Sequence, residues 1–271
     1  MATGYWVIRT YKAGRIGEKV KFWVSGNPKH RNCRKEKQSL KKTEQNEASA
    51  IKRSARILNQ NFAGRDSVLL GFDYSDDGIG KLIAKIRKAG TDWDGLDMDG
   101  KRDALFEMAK KEINNLIARV NYELKKSGEQ LRYYGVTSDL EVEDDGTKRP
   151  CRIHHHLVAQ AGYEGLFAEK WKELGTVHWS AISKRQVDLL PIAVYLCQQV
   201  RHVDNAKMYI RSRNLEEPKC SDRVVYTGAE LRPPKRARVL NRCEYKGPYH
   251  PQYMRYDMGT EQADTGQEVH T

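Results

Sequence analysis

With 39% hydrophobic and 31% charged residues over 271 positions, the chain can bury a sizeable core. No run approaches the ~18 apolar residues needed to cross a bilayer, and Met1-Ala2-Thr3-Gly4 opens no secretory leader, so a soluble, non-secreted protein is expected. The formal charge of +12 is concentrated: residues 1–65 hold 16 Lys and Arg against 4 Glu. A block of that kind is the footprint of a protein that meets a phosphate backbone. Tyr5 to Val24 mixes aromatic and β-branched residues around Ala13-Gly14 and predicts a hairpin. A basic connection (26–38) leads to a helix over 39–62, with Ala48, Ile51, Ala55 and Leu58 on one stripe and Lys41, Lys42, Lys52, Arg53 and Arg56 off it.

Val68 to Tyr74 reads as a short apolar strand, followed by a turn and a helix carrying Leu82, Ile83 and Ile86. Asp99 to Lys126 is the clearest helix, and it stops near Gly128. Leu131 to Val142 and Cys151 to Ala159 read as antiparallel strands about a turn at Asp145-Gly146. A helix (167–174), a strand (177–182) and another helix (189–200) complete the order. The expected fold is α+β: a central antiparallel sheet of about five strands with helices packed on it. From Arg211 onward apolar periodicity fades, which predicts an extended tail whose last dozen residues are disordered. The expected division is therefore a basic N-terminal extension (1–65), a core (66–215) and a C-terminal tail (216–271). There are no internal repeats.

The five cysteines (Cys33, Cys151, Cys197, Cys220, Cys243) are odd in number, scattered and never spaced Cys-x-x-Cys, which argues against a disulfide framework or a zinc finger and for a reducing cytosol. The richest feature is His154-His155-His156, between Ile153 and Leu157-Val158. On a strand, side chains two apart share a face, so His154 and His156 converge and His155 points away. Two imidazoles side by side make half of a divalent-metal site. Asp139 and Glu141 share a face of the neighbouring strand. Pairing about a loop at 143–150 would bring Asp139 near His156 and Glu141 near His154; Asp139 is preferred as third ligand and Glu141 is the alternative.

Three ordered segments, VLLGFDY (68–74), IHHHLV (153–158) and AVYLCQQ (193–199), together resemble the motifs of HUH endonucleases, the rolling-circle replication initiators of plasmids and small single-stranded DNA phages. The likeness extends to RTYKAGRIGEKVKFW (9–23), YYGVTSD (133–139) and YIRSRNL (209–215). The resemblance implies an HUH or RRM-like core over 66–215, with His154 and His156 holding Mg or Mn and Tyr195 as the nucleophile. A histidine stands at 155, where the family has a hydrophobic residue. Family members often carry a Glu where this chain has Val136-Thr137-Ser138. They also place Lys or Arg three or four residues after the tyrosine, where Gln198 and Gln199 stand here and could bond a phosphate oxygen. Tyr209, near Lys207, Arg211 and Arg213, is the fallback nucleophile.

The implied activity is metal-dependent, site-specific nicking and strand transfer on single-stranded DNA through a 5′-phosphotyrosine, initiating rolling-circle replication at an origin. DNA would be gripped by Lys41, Lys42, Lys52, Arg53, Arg56, Arg211 and Arg213. Gly78-Ile79-Gly80-Lys81-Leu82 lacks the spacing and the Ser or Thr of a phosphate-binding loop, so a host helicase would unwind and a host polymerase extend. The expected location is the cytoplasm, that of a bacterial host if the chain is phage- or plasmid-encoded, with no membrane partner. A relaxase or transposase using the same site, or a non-catalytic single-strand-binding protein stacking bases on Tyr133, Tyr134 and Trp179, are the alternatives.

Overall fold

The computed structural model describes residues 4–25, 40–143, 146–200, 209–225, 230–245 and 250–259, with backbone alone at 25 and 40–45. In chain order the elements are β1 (Gly4–Ala13), β2 (Ile16–Ser25), α1 (Leu40–Asn61), β3 (Ser67–Tyr74), α2 (Asp76–Lys88), α3 (Met98–Lys125), β4 (Tyr133–Val142) and β5 (Lys148–Gln160). There follow α4 (Glu164–Trp171), β6 (Gly175–Ile182), α5 (Leu190–Gln198), β7 (Tyr209–Arg211), β8 (Lys219–Val225), β9 (Arg238–Glu244) and β10 (Gln252–Asp257). The protein is α+β, with two antiparallel sheets of five strands each, ordered β8-β1-β2-β10-β9 and β6-β3-β5-β4-β7. Among the described residues no helix is long and apolar enough to cross a membrane.

The chain divides into two compact units: unit 1 holds 1–63, 187–190 and 216–271, and unit 2 holds 64–186 and 191–215. Unit 2 begins at 64 and ends at 215, and the C-terminal segment, expected as an extended tail, is not one. β8 pairs β1, and β10 lies between β2 and β9, so both ends of the chain build one sheet. Two things hide these strands in the sequence. β8 and β9 are outer strands with almost every residue exposed, so they carry no apolar alternation; β10 buries Arg255 and Asp257 among its apolar residues. The connection at 26–38 and the last dozen residues lie outside the described residues.

In unit 1, Arg255 and Glu18 are buried as an ion pair 3.3 Å apart, and each has a second partner: Asp188 bonds Arg255, and Arg56 of α1 reaches Glu18 at 2.6 Å. Removing one member of such a buried set strands the other charges and costs about 3–5 kcal/mol.

In unit 2, α3 buries a helical stripe of Phe106, Ala109, Ile113, Leu116, Ile117, Val120 and Leu124 against the sheet. Asp97 caps its first turn through Gly100 N–H at 2.8 Å, two residues before the expected start at Asp99. α2 is capped by Ser75, with Asp76 and Asp77 in its first turn and Lys85, Arg87 and Lys88 in its last, as the helix dipole favours. From β3 and β5, Phe72, Ile153 and Leu157 face this helical layer, which leaves the other face of the sheet to α5.

Candidate active site

β5 is central in its sheet and sets the site. His155 turns into the core, fully buried, where it bonds Tyr74 Oη at 3.0 Å and Thr137 Oγ1 at 2.9 Å. Burial, then the neighbouring His154 and His156, push its pKa down to about 3, so it is neutral. His154 and His156 share the opposite face, their rings edge to face with centroids 4.8 Å apart. The alternation expected from the sequence holds residue for residue.

On that face the two neighbouring strands bring their own side chains. On β3, Asp73 stands directly opposite His154 and Gly71 opposite His156; on β4, Ser138 stands opposite His154 and Val136 opposite His156. Directly opposed residues share a face at Cβ separations of ~4.5–5.5 Å. One strand beyond β3, His178 of β6 opposes Gly71, and its Nε2 meets Asp73 Oδ2 at 2.8 Å. The backbone around Asp73 is tightly held. Its carbonyl accepts from Trp171 Nε1 at 3.1 Å, and a Cβ on Gly175 would stand only 1.9 Å from the same oxygen. Gly135 does the same service beside His156, whose carbonyl a Cβ there would meet at 2.1 Å.

The expected third ligands are not on this face. The β4–β5 register shifts between Ser138 and Leu140, so that Leu140 opposes Pro150 and Glu141 opposes Arg149. Ser138, and not Glu141, stands opposite His154. Asp139 is turned to the helical side, where Arg102 Nε donates to it at 2.5 Å and Arg102 Nη2 to its carbonyl at 3.1 Å. Since the side-chain period of a strand is two, an acid one residue from Ser138 takes the wrong face. The acid opposite His154 comes instead from β3, the other neighbour of β5, which the sequence reading did not weigh. The segment VLLGFDY carries that acid, but no local pattern sets its strand beside β5.

Tyr195, on α5, comes to the histidines. Its hydroxyl lies in hydrogen-bond contact with His156 Nε2 at 2.8 Å, and the rings meet edge to face at 4.9 Å. Burial and the nearby His154 push His156 down to about 4, Asp73 opposing, so this imidazole is neutral and able to accept. Burial, then Asp73, raise the Tyr195 hydroxyl above its ordinary value. A phenol so placed is protonated at neutral pH and needs an acceptor or a cation before it can attack.

The two glutamines take different parts. Gln199 is buried, accepting from Ser138 Oγ at 3.2 Å, and so ties α5 to β4 instead of facing a phosphate; Gln198 is half-exposed, one helical turn from Tyr195. Tyr209 opposes Val136 on β4, stacks on Tyr134 at 5.5 Å and brings its hydroxyl 3.2 Å from Cys197 Sγ. Arg211 and Arg213 are exposed at that end of the sheet, Arg211 opposite Tyr134. The α1 cations divide. Arg56 is bound to Glu18 and stacked on Tyr11 at 3.5 Å, while Lys52 bonds Tyr245 Oη at 3.0 Å and lies 4.0 Å over the Tyr253 ring. Both are committed inside unit 1, whereas Arg53 is exposed. The side chains of Lys41 and Lys42 lie outside the described residues.

The donor set fits a divalent ion chemically: neutral His156, His154 and the Asp73 carboxylate share one face, and His154 already directs Nδ1 to the Arg152 carbonyl at 2.9 Å, which leaves its Nε2 outward. Among the described residues no three His, Cys, Asp or Glu side chains are already drawn together around a point. Asp73 is turned to His178, and His156 Nε2 to Tyr195, so these two donors hold partners that a cation would replace. Comparison with family models, with curated proteins and with solved structures finds no match.

Proposed function

We propose that the protein is an HUH-type nickase and strand transferase acting on single-stranded DNA, with Tyr195 as nucleophile, as the opening step of rolling-circle replication. The observation that supports it best is the Tyr195 hydroxyl seated at 2.8 Å on His156, next to His154 and one strand from Asp73. Mg or Mn held by His154, His156 and Asp73 would polarise the scissile phosphate and offset the charge that builds in its transition state.

The protein's own groups do the rest. α5, fixed to β4 through Gln199 and Ser138, keeps the phenol over the histidine pair. The phenol oxygen bonds to phosphorus while the bond from phosphorus to the 3′-oxygen breaks; the phenol proton leaves through the groups around Tyr195, and the 3′-oxygen departs as a hydroxyl. The product is a 5′-phosphotyrosine and a primer end. Because the phosphodiester is exchanged and not hydrolysed, attack by a DNA 3′-hydroxyl reverses the step and rejoins a strand. A relaxase or transposase would use the same groups. The base-stacking alternative has less support, since Tyr134 is buried beneath Tyr209 and Tyr133 is half-buried, leaving Trp179 exposed.

The test uses 3′-labelled single strands of randomised sequence with Mn. A labelled covalent adduct that maps to Tyr195 by peptide mass spectrometry is expected. No adduct, or one on Tyr209, overturns the assignment.

A further inference from the structure

Unit 1 carries 24 Lys and Arg against 14 Asp and Glu, and unit 2 carries 24 against 22, so nearly all of the +12 belongs to unit 1. Strand alternation sorts that charge. On one face of the sheet, Arg9 is paired with Asp222, Arg15 with Asp257, and Arg255 and Arg56 with Glu18. The other face takes the residues between. It carries Thr10 and Lys12 from β1, Lys19 from β2, and Lys219, Ser221 and Arg223 from β8.

Within this group Lys12 stands directly opposite Lys219, and Thr10 is flanked by Lys19 and Ser221. Like charges directly opposed across strands are destabilising, and Lys12, Lys219 and Arg223 have no carboxylate partner among the described residues. Lys19 donates to the Arg232 carbonyl at 3.0 Å, and burial, then Arg223 and Lys12, lower its pKa. Leu231 and Ala237, in the segment lying over the middle of this face, pack on Met254, Tyr256 and Ile8, and this segment adds exposed Arg232. Its acid, Glu230, is bound by Arg242. On the strands of this face the acid is Glu244, out on β9. A cluster of cations interleaved with two hydroxyls and kept clear of carboxylates is the chemistry that holds successive phosphates.

We propose that the face bearing Lys12, Lys19, Lys219 and Arg223 binds the DNA phosphate backbone independently of sequence, a second grip separate from the tyrosine site. The choice of DNA among polyanions rests on the nickase reading; the grip itself does not. The test is a salt titration of binding by fluorescence anisotropy, without divalent metal, on a single strand and a duplex of arbitrary sequence.

In the triple variant Lys12→Gln, Lys219→Gln, Arg223→Gln, the slope of log affinity against log salt should become shallower by about 2 to 3, at ~0.9 per phosphate contact for duplex and ~0.7 for single strand. Its thermal midpoint should equal or exceed that of the parent, because like-charge repulsion is relieved. Arg9→Gln with Asp222→Asn, on the opposite face, should leave the slope unchanged. If the triple variant unfolds, Arg223→Gln alone, on an outer strand, decides the matter with a change of about 0.7–0.9. An unchanged slope overturns the surface, as does loss of binding to phosphatidylserine vesicles with DNA binding intact. Absence of a tyrosine adduct while these slopes shift as expected would sink the nickase reading and leave the surface standing.

Discussion

The two sheets have equal strand number and the same antiparallel pairing, but they handle polar side chains in opposite ways. In unit 2 the open face gathers neutral groups, a low-pKa imidazole and a protonated phenol, around one carboxylate. In unit 1 one face cancels its charges in ion pairs, that of Arg255 and Glu18 buried, and the other keeps like charges together. The difference teaches what each face can do. Bond exchange needs convergent groups that can take or give a proton, and a neutral cluster supplies them. A non-specific grip on phosphates needs unbalanced positive charge and little geometry. The period of two along a strand produces both arrangements.

The comparison breaks most sharply at Tyr195. Tyr195→Phe keeps the ring against His156 and deletes the oxygen proposed to attack, so adduct formation should fall to background while the salt dependence of DNA binding stays as in the parent. Removing divalent metal with EDTA should have the same split outcome. If either treatment also flattens the salt slope, the two faces do not act separately.

Next in size is the buried ion cluster of unit 1. Arg255→Leu leaves Glu18 and Asp188 short of their partner and should cost about 3–5 kcal/mol, read as a lower urea midpoint followed by tryptophan fluorescence, since Trp6 and Trp23 lie in the same sheet. A midpoint within error of the parent would mean that the cluster adds nothing to stability.

Two acids separate the faces of the unit 2 sheet. Asp73→Asn should reduce nicking by at least about 10–100-fold and raise the Mn concentration required, the range seen when metal-site partners are removed. Asp139→Asn should leave the Mn requirement alone and lower stability, because Arg102 loses its carboxylate. Exchanged outcomes would restore Asp139 as the ligand and remove Asp73.

These pairs also mark how far the sequence could be read. The alternation that sends His154 and His156 one way and His155 the other is local, so three consecutive residues sufficed. Asp73 is 81 residues before His154, and its place depends on β3 lying beside β5, which periodicity does not encode. Asp139 failed for a smaller reason: the pairing stands three residues from the expected register, with Ser138 and not Glu141 opposite His154, and an odd offset sends Asp139 to the other face. The C-terminal strands were missed because outer strands need no apolar face, and because Arg255 and Asp257 look solvent-bound until their partners are known. Charge on α1 was legible as composition, but its use was not, since a lysine over a tyrosine ring and a lysine in water are identical in sequence.

That last distinction gives the smallest predicted effect. Lys52 and Arg53 are neighbours on α1 and were read alike, yet Lys52 lies over Tyr253 and bonds Tyr245, while Arg53 is exposed. Lys52→Gln deletes a cation from an aromatic face and should cost about 0.5–1 kcal/mol of stability with no change in salt slope. Arg53→Gln should leave stability within ~0.5 kcal/mol and alter the slope by at most about 0.9, the contribution of one phosphate. Measured side by side by denaturation and anisotropy, the two variants should therefore differ in opposite observables. If Lys52→Gln flattens the slope and keeps full stability, Lys52 leaves its aromatic partners for DNA, and the α1 helix returns as part of the grip.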